Sequence, residues 1–119
     1  MEIKKYQEQI KETVVAPMIY FMEVGEGDCE YSKKDVEKCE EMLLDYLTEL
    51  SKITDPSEKV IMNLVKDLVL ALNDLNEECG YELIETEARE AIWEIIQTAA
   101  IDCGLITDAD DITEEWREW

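Results

Sequence analysis

A group of carboxylates close to the C-terminus has a spacing that suggests a cation site. The group comprises Asp108, Asp110, Asp111, Glu114 and Glu115. Alternate oxygens could wrap Ca²⁺, but an EF-hand loop counted from Asp108 needs glycine at its sixth position and glutamate at its twelfth. Thr113 and Trp119 stand there instead. We therefore predict no metal or cofactor, with the aspartates capping a last short helix; binding of a divalent cation stays open as a lesser alternative.

The absence of histidine from all 119 residues excludes much of enzyme chemistry. Ser-His-Asp and Cys-His catalysis, histidine zinc sites and the Glu-x-x-His pairs of di-iron bundles all require it. Carboxylate acid–base catalysis is formally open, but no pair stands out among the 31 acids. The sequence therefore predicts that the protein is not an enzyme.

The cysteines also lack the pattern of a chemical site. Cys29, Cys39, Cys79 and Cys103 are separated by 10, 40 and 24 residues, without the close ligand pairs usual in structural zinc sites. Three of them lie on apolar helix faces, which indicates reduced core thiols in a cytoplasmic protein. The N-terminus lacks the apolar segment of a signal peptide, and the longest apolar run, residues 14–22, is too short to span a bilayer.

Charge is the most unusual property of the chain. Eleven Lys and Arg against 31 Asp and Glu give a net charge of −20, whereas small domains remain soluble with about 2–8 charges. The excess is concentrated after residue 72, where the sequence has 15 acidic residues and only two basic ones, Arg89 and Arg117. Such a surface repels nucleic acid and anionic lipid and attracts basic proteins.

Hydrophobic periodicity predicts helices throughout. The stretch Asp55–Gly80 is predicted as a central helix buried against several neighbours, with Asp55 as its cap, Pro56 in its first turn and Gly80 as its stop. A first helix begins at Glu2, and Pro17 kinks or ends it, with residues 18–22 continuing as a buried turn. Residues 23–31 are predicted as a loop.

Two further helices are indicated by caps and stripes. Ser32 and Asp35 open the second helix, and the fourth is predicted to have Thr86 as its cap and Gly104 as its stop. The buried stripe of the second helix is predicted to comprise Val36, Cys39, Leu43, Tyr46, Leu47 and Leu50. We predict an all-α, four-helix bundle-like single domain over residues 1–119, with a short C-terminal helical segment from about Thr113.

The aromatic residues near the C-terminus allow two interpretations. Trp116 and Trp119 lie three apart among acids, so they either dock the C-terminus onto the bundle or serve as anchors in an acidic binding face. Docking is the favoured interpretation. Trp93 is expected in or near the core, and Tyr31 and Tyr81 border glycine-containing turns.

The C-terminal third resembles a known family. The run LNDLNEE through IETEAREAIWEIIQTAAIDCGL, followed by an acidic turn and DITEEWREW, resembles a family of small acidic bacterial helical proteins with no assigned activity. In overall type the chain is similar to bacterial immunity proteins, which neutralise the toxins of competing cells. The likeness carries no catalytic signature.

These features favour a protein-binding, inhibitory domain. The most specific form of this hypothesis is an immunity protein that neutralises a basic, nuclease-like toxin. The alternatives are a DNA mimic that inhibits a DNA-binding defence protein and a structural homodimer joined through residues 14–22. The oligomeric state is left open. Residues predicted to contact the partner are Glu77, Glu78, Glu82, Glu85, Asp108, Asp110, Asp111, Glu114 and Glu115, with Tyr81 and Trp116 as anchors.

Overall fold

The computed structural model describes residues 1–25 and 29–119, and in that part of the chain every regular element is helical. The elements are α1 (Ile3–Ile10), a π-helical turn (Lys11–Val15), α2 (Ala16–Val24), α3 (Lys33–Ser51), α4 (Glu58–Glu78) and α5 (Thr86–Cys103). Because α1, the π turn and α2 follow one another without a break, they form one long helical unit beside three others. The predicted all-α, bundle-like fold is confirmed.

Pro17 is accommodated by the π turn directly before it. A proline inside a helix lacks an amide hydrogen and its ring clashes with the carbonyl four residues earlier, here that of Thr13. A wider π turn relieves this conflict without ending the helix. The helix therefore continues to Val24, two residues into the predicted loop, and the middle of that loop, residues 26–28, lies outside the described residues.

The stretch predicted as a buried turn after Pro17 is only partly buried. Met18 lies in the core, but Tyr20 is 67% exposed and Phe21 is 56% exposed. The stripe that runs through Ile10, Val14 and Met18 uses four-residue steps, so Tyr20, two residues after Met18, points to another face. Phe21, three residues after Met18, is exposed although helical spacing alone would place it beside this stripe. Val14 and Met18 are therefore buried within the chain, and neither is available for the predicted dimer seam.

Helix α3 is the centre of the bundle. Its start is the predicted capping box: the amide of Ser32 donates to Asp35 Oδ2 at 2.9 Å. All six residues of its predicted stripe are buried. The helix packs against each of the other helical elements. Deep in the core, the Tyr46 hydroxyl donates to the Ile96 carbonyl of α5 at 2.8 Å.

Helix α4 differs from the prediction at its start and in its surroundings. It begins at Glu58, and its cap is Ser57, whose hydroxyl accepts from the Val60 amide at 3.2 Å; Asp55 and Pro56 precede the helix. The helix packs mainly on α3 and only weakly on α5. It is therefore not surrounded by several helices, and its outer face exposes Val60 and Leu70.

The C-terminal strap, residues 105–119, lies against α4 and α5. Its Leu105, Ile112 and Thr113 are buried, and Trp116 and Trp119 pack against the core. Two side chains hold it from the helices. Asn73 binds main-chain groups of Trp116 and Glu118, and Gln97 accepts from the Ile112 amide at 3.0 Å.

The predicted C-terminal helical segment is a single turn at residues 112–116. The Arg117 amide donates to the Thr113 carbonyl at 3.0 Å, which is the last helix-like bond. The Glu118 amide instead donates to Asn73 Oδ1 at 3.0 Å. This tertiary hydrogen bond takes the place of the next helical one, so the turn does not continue.

Candidate partner-binding surface

The residues predicted to contact a partner form two groups in the structure. The first lies at the end of α4 and in its connection to α5: Glu77, Glu78, Tyr81, Glu82 and Glu85. The second belongs to the C-terminal strap: Asp108, Asp110, Asp111, Glu114, Glu115 and Trp116.

The first group surrounds an unusual helix end. Helix α4 closes with its cap at Cys79, and both Gly80 and Tyr81 then adopt φ near +64°. This left-handed conformation is natural for glycine but uncommon for a tyrosine. The Tyr81 amide donates to the Asn76 carbonyl at 2.8 Å, which fixes the turn, and its side chain is 61% exposed. The turn thus holds an aromatic side chain in solvent beside acidic residues.

An open groove lies between α2 and the start of α5, next to this turn. Its volume is about 420 Å³, within the range of roughly 300–1,000 Å³ typical of ligand sites. Apolar and aromatic side chains make up much of its lining: Pro17, Met18, Tyr20, Phe21, Tyr31, Leu83 and Ala88. We call it the aromatic groove. Its charged lining residues are Glu82, Glu85 and Glu87, and no lysine or arginine is found among the described residues that line it.

Two hydrogen bonds fix the walls of the aromatic groove. The Tyr31 hydroxyl donates to the Met18 carbonyl at 2.8 Å, which ties the segment before α3 to α2. The Glu30 amide donates to Glu82 Oε2 at 3.0 Å and so orients that carboxylate. Burial raises the pKa of Tyr31 to about 12, with smaller contributions from the neighbouring Cys29, Glu85 and Glu82. The phenol therefore stays neutral at ordinary pH.

On the strap, two of the predicted contact residues already have partners inside the chain. Asp111 forms a largely buried ion pair with Arg117, 2.7 Å between Oδ2 and Nη2, and also accepts from the Thr113 amide at 2.9 Å. The Trp116 carbonyl accepts from Asn73, and its ring packs against the core. Trp116 and Trp119 therefore dock the strap onto the bundle, which was the favoured of the two interpretations. Exposed Asp108, Asp110, Glu114 and Glu115 remain on its outer side.

Most acids of the described residues form no ion pair. The ion pairs found there join Lys11 to Glu40, Lys52 to Glu49 and Arg117 to Asp111. Apart from Asp111, none of the predicted contact acids is among them. The exposed carboxylates at the end of α4, in the aromatic groove and on the strap are thus free to meet an external cation.

The structure gives these carboxylates no organised metal geometry. No described group of three or more Cys, Asp or Glu side chains is arranged to hold a metal ion. All four cysteines are free thiols. Burial raises the pKa of Cys39 to about 12 and that of Cys79 to about 11, which suits packing groups rather than nucleophiles.

Sequence reasoning missed Tyr20, Phe21 and Glu87, which line the groove, and the polar clamps Asn73 and Gln97. The helical phase of the first stripe was the available signal for Tyr20, since it places this residue off the buried face. It gave no such signal for Phe21, which lies three residues after the buried Met18. Nothing in the sequence pairs α2 with the start of α5, so the groove itself had no local signal.

No family model matches this chain, and neither does any curated protein or solved structure in the comparisons. The resemblance of the C-terminal third to small acidic bacterial proteins therefore stays a prediction without support from them. Among the described residues, no helix combines the length and apolarity needed to cross a membrane.

Proposed function

We propose that this protein is a non-enzymatic binding domain that holds a basic protein partner and inhibits it. The most specific form of this proposal is that the protein is a cytoplasmic immunity protein that neutralises a basic, nuclease-like toxin. The surface we assign comprises the exposed acids at the end of α4, those of the aromatic groove and those of the strap, with Tyr81 as an aromatic anchor.

The observation that carries this proposal is the unpaired acidic surface beside an aromatic groove. A net charge of −20 with few internal ion pairs makes the compact state repel itself. Neutralisation by a basic surface relieves that repulsion on binding. The groove adds apolar area and aromatic side chains, which are the usual centres of binding energy in protein interfaces.

A nuclease suits this surface because it must present positive charge to hold phosphates. An acidic protein can occupy the same site, and the opposite charges accelerate encounter at low ionic strength. A DNA-binding defence protein has the same property and remains the alternative target. A second copy of this chain is disfavoured, because two molecules of charge −20 repel each other.

The first experiment is affinity capture from a lysate of the source organism with tagged protein at low salt, followed by graded salt elution and mass spectrometry. We expect one basic protein in near-equal amount, released as salt rises. If no basic protein is retained, the proposal is wrong.

The second experiment separates a local surface from overall charge. Glu77→Lys, Glu85→Lys and Glu114→Lys are combined in one variant, and Glu37→Lys, Glu41→Lys and Asp45→Lys of α3 form a control with the same net charge. We expect the first variant to lose partner binding and the control to retain most of it. Equal losses would mean that only net charge matters, which contradicts the assigned surface.

A further inference from the structure

We propose that the aromatic groove is a receptor for an arginine-bearing segment of the partner, with the guanidinium between the aromatic wall and the carboxylates of Glu82, Glu85 and Glu87. This inference rests on the proposed function and specifies the chemistry that one part of the surface recognises. It concerns a site formed by α2, the segment before α3 and the start of α5.

The aromatic wall supplies the apolar part of the site. Tyr20 and Phe21 expose more than half of their surface, although large aromatic side chains are normally covered in a folded protein. Tyr31 closes the groove from within, and its hydroxyl bond to Met18 holds it in place. Such rings can stack on a planar cation and cover its aliphatic stem.

One carboxylate of the acidic side is already oriented before any ligand arrives. Glu82 is held by the Glu30 amide through Oε2, which leaves Oε1 for another donor. Glu85 is the cap residue of α5, in place of the predicted Thr86, which is the first helical residue, and Glu87 lies in the first turn. The fixed carboxylate of Glu82 lowers the ordering cost of binding, which favours affinity.

The charge of the groove selects a cation over an anion. The N-terminus of a helix by itself attracts anions through its free amides. Here Glu85 and Glu87 lie at that terminus. The described residues that line the groove include three carboxylates and no lysine or arginine. An anionic ligand, or a second copy of this acidic chain, would meet repulsion.

Arginine fits this combination better than lysine. Its guanidinium is planar, stacks on aromatic faces and donates through a fork that matches carboxylates, whereas the lysine ammonium is a strongly hydrated point charge. The groove volume of about 420 Å³ is large enough to hold an arginine side chain.

The test uses a fluorescein-labelled peptide in which one arginine is flanked by leucines, titrated with the full chain at low salt and followed by anisotropy. Matched peptides carry lysine, citrulline or glutamate at the arginine position. We expect saturable binding that weakens several-fold with lysine and more strongly with citrulline, which keeps the shape but lacks the charge. Equal affinity for all four peptides would overturn the proposal.

Variants locate the site. The combination Glu82→Gln, Glu85→Gln and Glu87→Gln should weaken arginine-peptide binding about tenfold, and Phe21→Ala about fivefold. The control combination Glu37→Gln, Glu41→Gln and Asp45→Asn, on α3 and outside the groove, should leave it within twofold. If the groove combination and the α3 control combination lost equal affinity for the arginine peptide, a local site would be contradicted.

Amide NMR provides an independent readout. Addition of the arginine peptide should shift the signals of Thr86 and Ala88 and leave that of Glu41 unchanged. If the captured partner binds normally to the groove variants, this inference fails while the proposed function stands. If no basic partner is captured but the peptide shifts these signals, the proposed function fails while the groove remains a cation site.

Discussion

The side chain of Asn73 in α4 holds the main chain of Trp116: Nδ2 donates to the Trp116 carbonyl at 2.8 Å. The other amide atom, Oδ1, accepts from the Glu118 amide at 3.0 Å. One buried asparagine thus satisfies two backbone groups of the strap and fixes its position on the bundle.

Replacing this asparagine should loosen the strap. Asn73→Ala leaves a donor and an acceptor of the strap without partners, and we expect a loss of about 1–3 kcal/mol in the free energy of unfolding. Exposed Asn63 on the same helix offers a matched control, since Asn63→Ala should change stability by less than about 0.5 kcal/mol. Urea unfolding followed by circular dichroism measures both. Similar values for the two variants would contradict the role of Asn73.

The two left-handed glycines should differ in their tolerance of alanine. Gly104 has φ of +122°, and an added Cβ would lie 3.2 Å from two carbons of Pro56. Gly80 has φ of +64°, and its Cβ would meet Glu30 at 3.4 Å, an ordinary contact. We expect Gly80→Ala to cost about 1 kcal/mol and Gly104→Ala about 2 kcal/mol or more. Thermal unfolding gives the order, and a costlier Gly80→Ala would refute it.

The exposed face of α3 carries an acidic row that limits stability. Glu37, Glu41, Asp45 and Glu49 follow one another at four-residue steps. Like charges at this spacing repel by about 0.2–0.5 kcal/mol per pair, and opposite charges attract by a similar amount. Glu41→Lys should therefore stabilise by about 1 kcal/mol, Glu41→Gln by about half of that, and both gains should shrink at high salt. Gains that persist unchanged in 1 M NaCl would exclude an electrostatic cause.

Stability should fall in alkaline solution because buried phenols resist ionisation. Burial, together with the hydrogen bond to Asp102 and its charge, raises the pKa of Tyr6 from 10.0 to about 12. The contribution of this group is fully present below pH 10 and is lost as pH rises towards 12, since the unfolded phenol ionises first.

Tyr6→Phe provides the comparison for this pH effect. The variant lacks the ionisable group, so its urea midpoint should be lower at pH 8 but should decline less between pH 9 and 11. The hydrogen bond to Asp102 Oδ2 at 3.1 Å accounts for about 1 kcal/mol of the loss at pH 8. Parallel pH profiles for the two proteins would show that Tyr6 does not contribute.

The thiols give a second pH-dependent readout. Because burial raises the pKa of Cys39 to about 12 and that of Cys79 to about 11, few thiolates form at pH 8. We expect iodoacetamide to label these two cysteines far more slowly in the folded protein than in urea. Mass spectrometry of peptides reports each site, and equal labelling rates with and without urea would contradict their burial.

The sequence by itself determined the number and approximate extent of the main helices and most of the core. The capping box at Ser32, the stop at Gly104 and the stripe of α3 are local signals, because hydrogen-bonding caps and helical periodicity act within a few residues. The excess of acidic residues was also evident from the sequence, because net charge follows from the numbers of acidic and basic residues alone.

Tertiary contacts decided the role of the strap and the existence of the groove. The start of α4 was left ambiguous by the sequence, because Asp55 and Ser57 are both residues that can cap a helix; the structure uses Ser57. The strap stops short of a helix because Asn73 takes its main-chain groups. The aromatic groove joins residues far apart in the chain, and packing geometry between helices, not periodicity within them, brings such residues together.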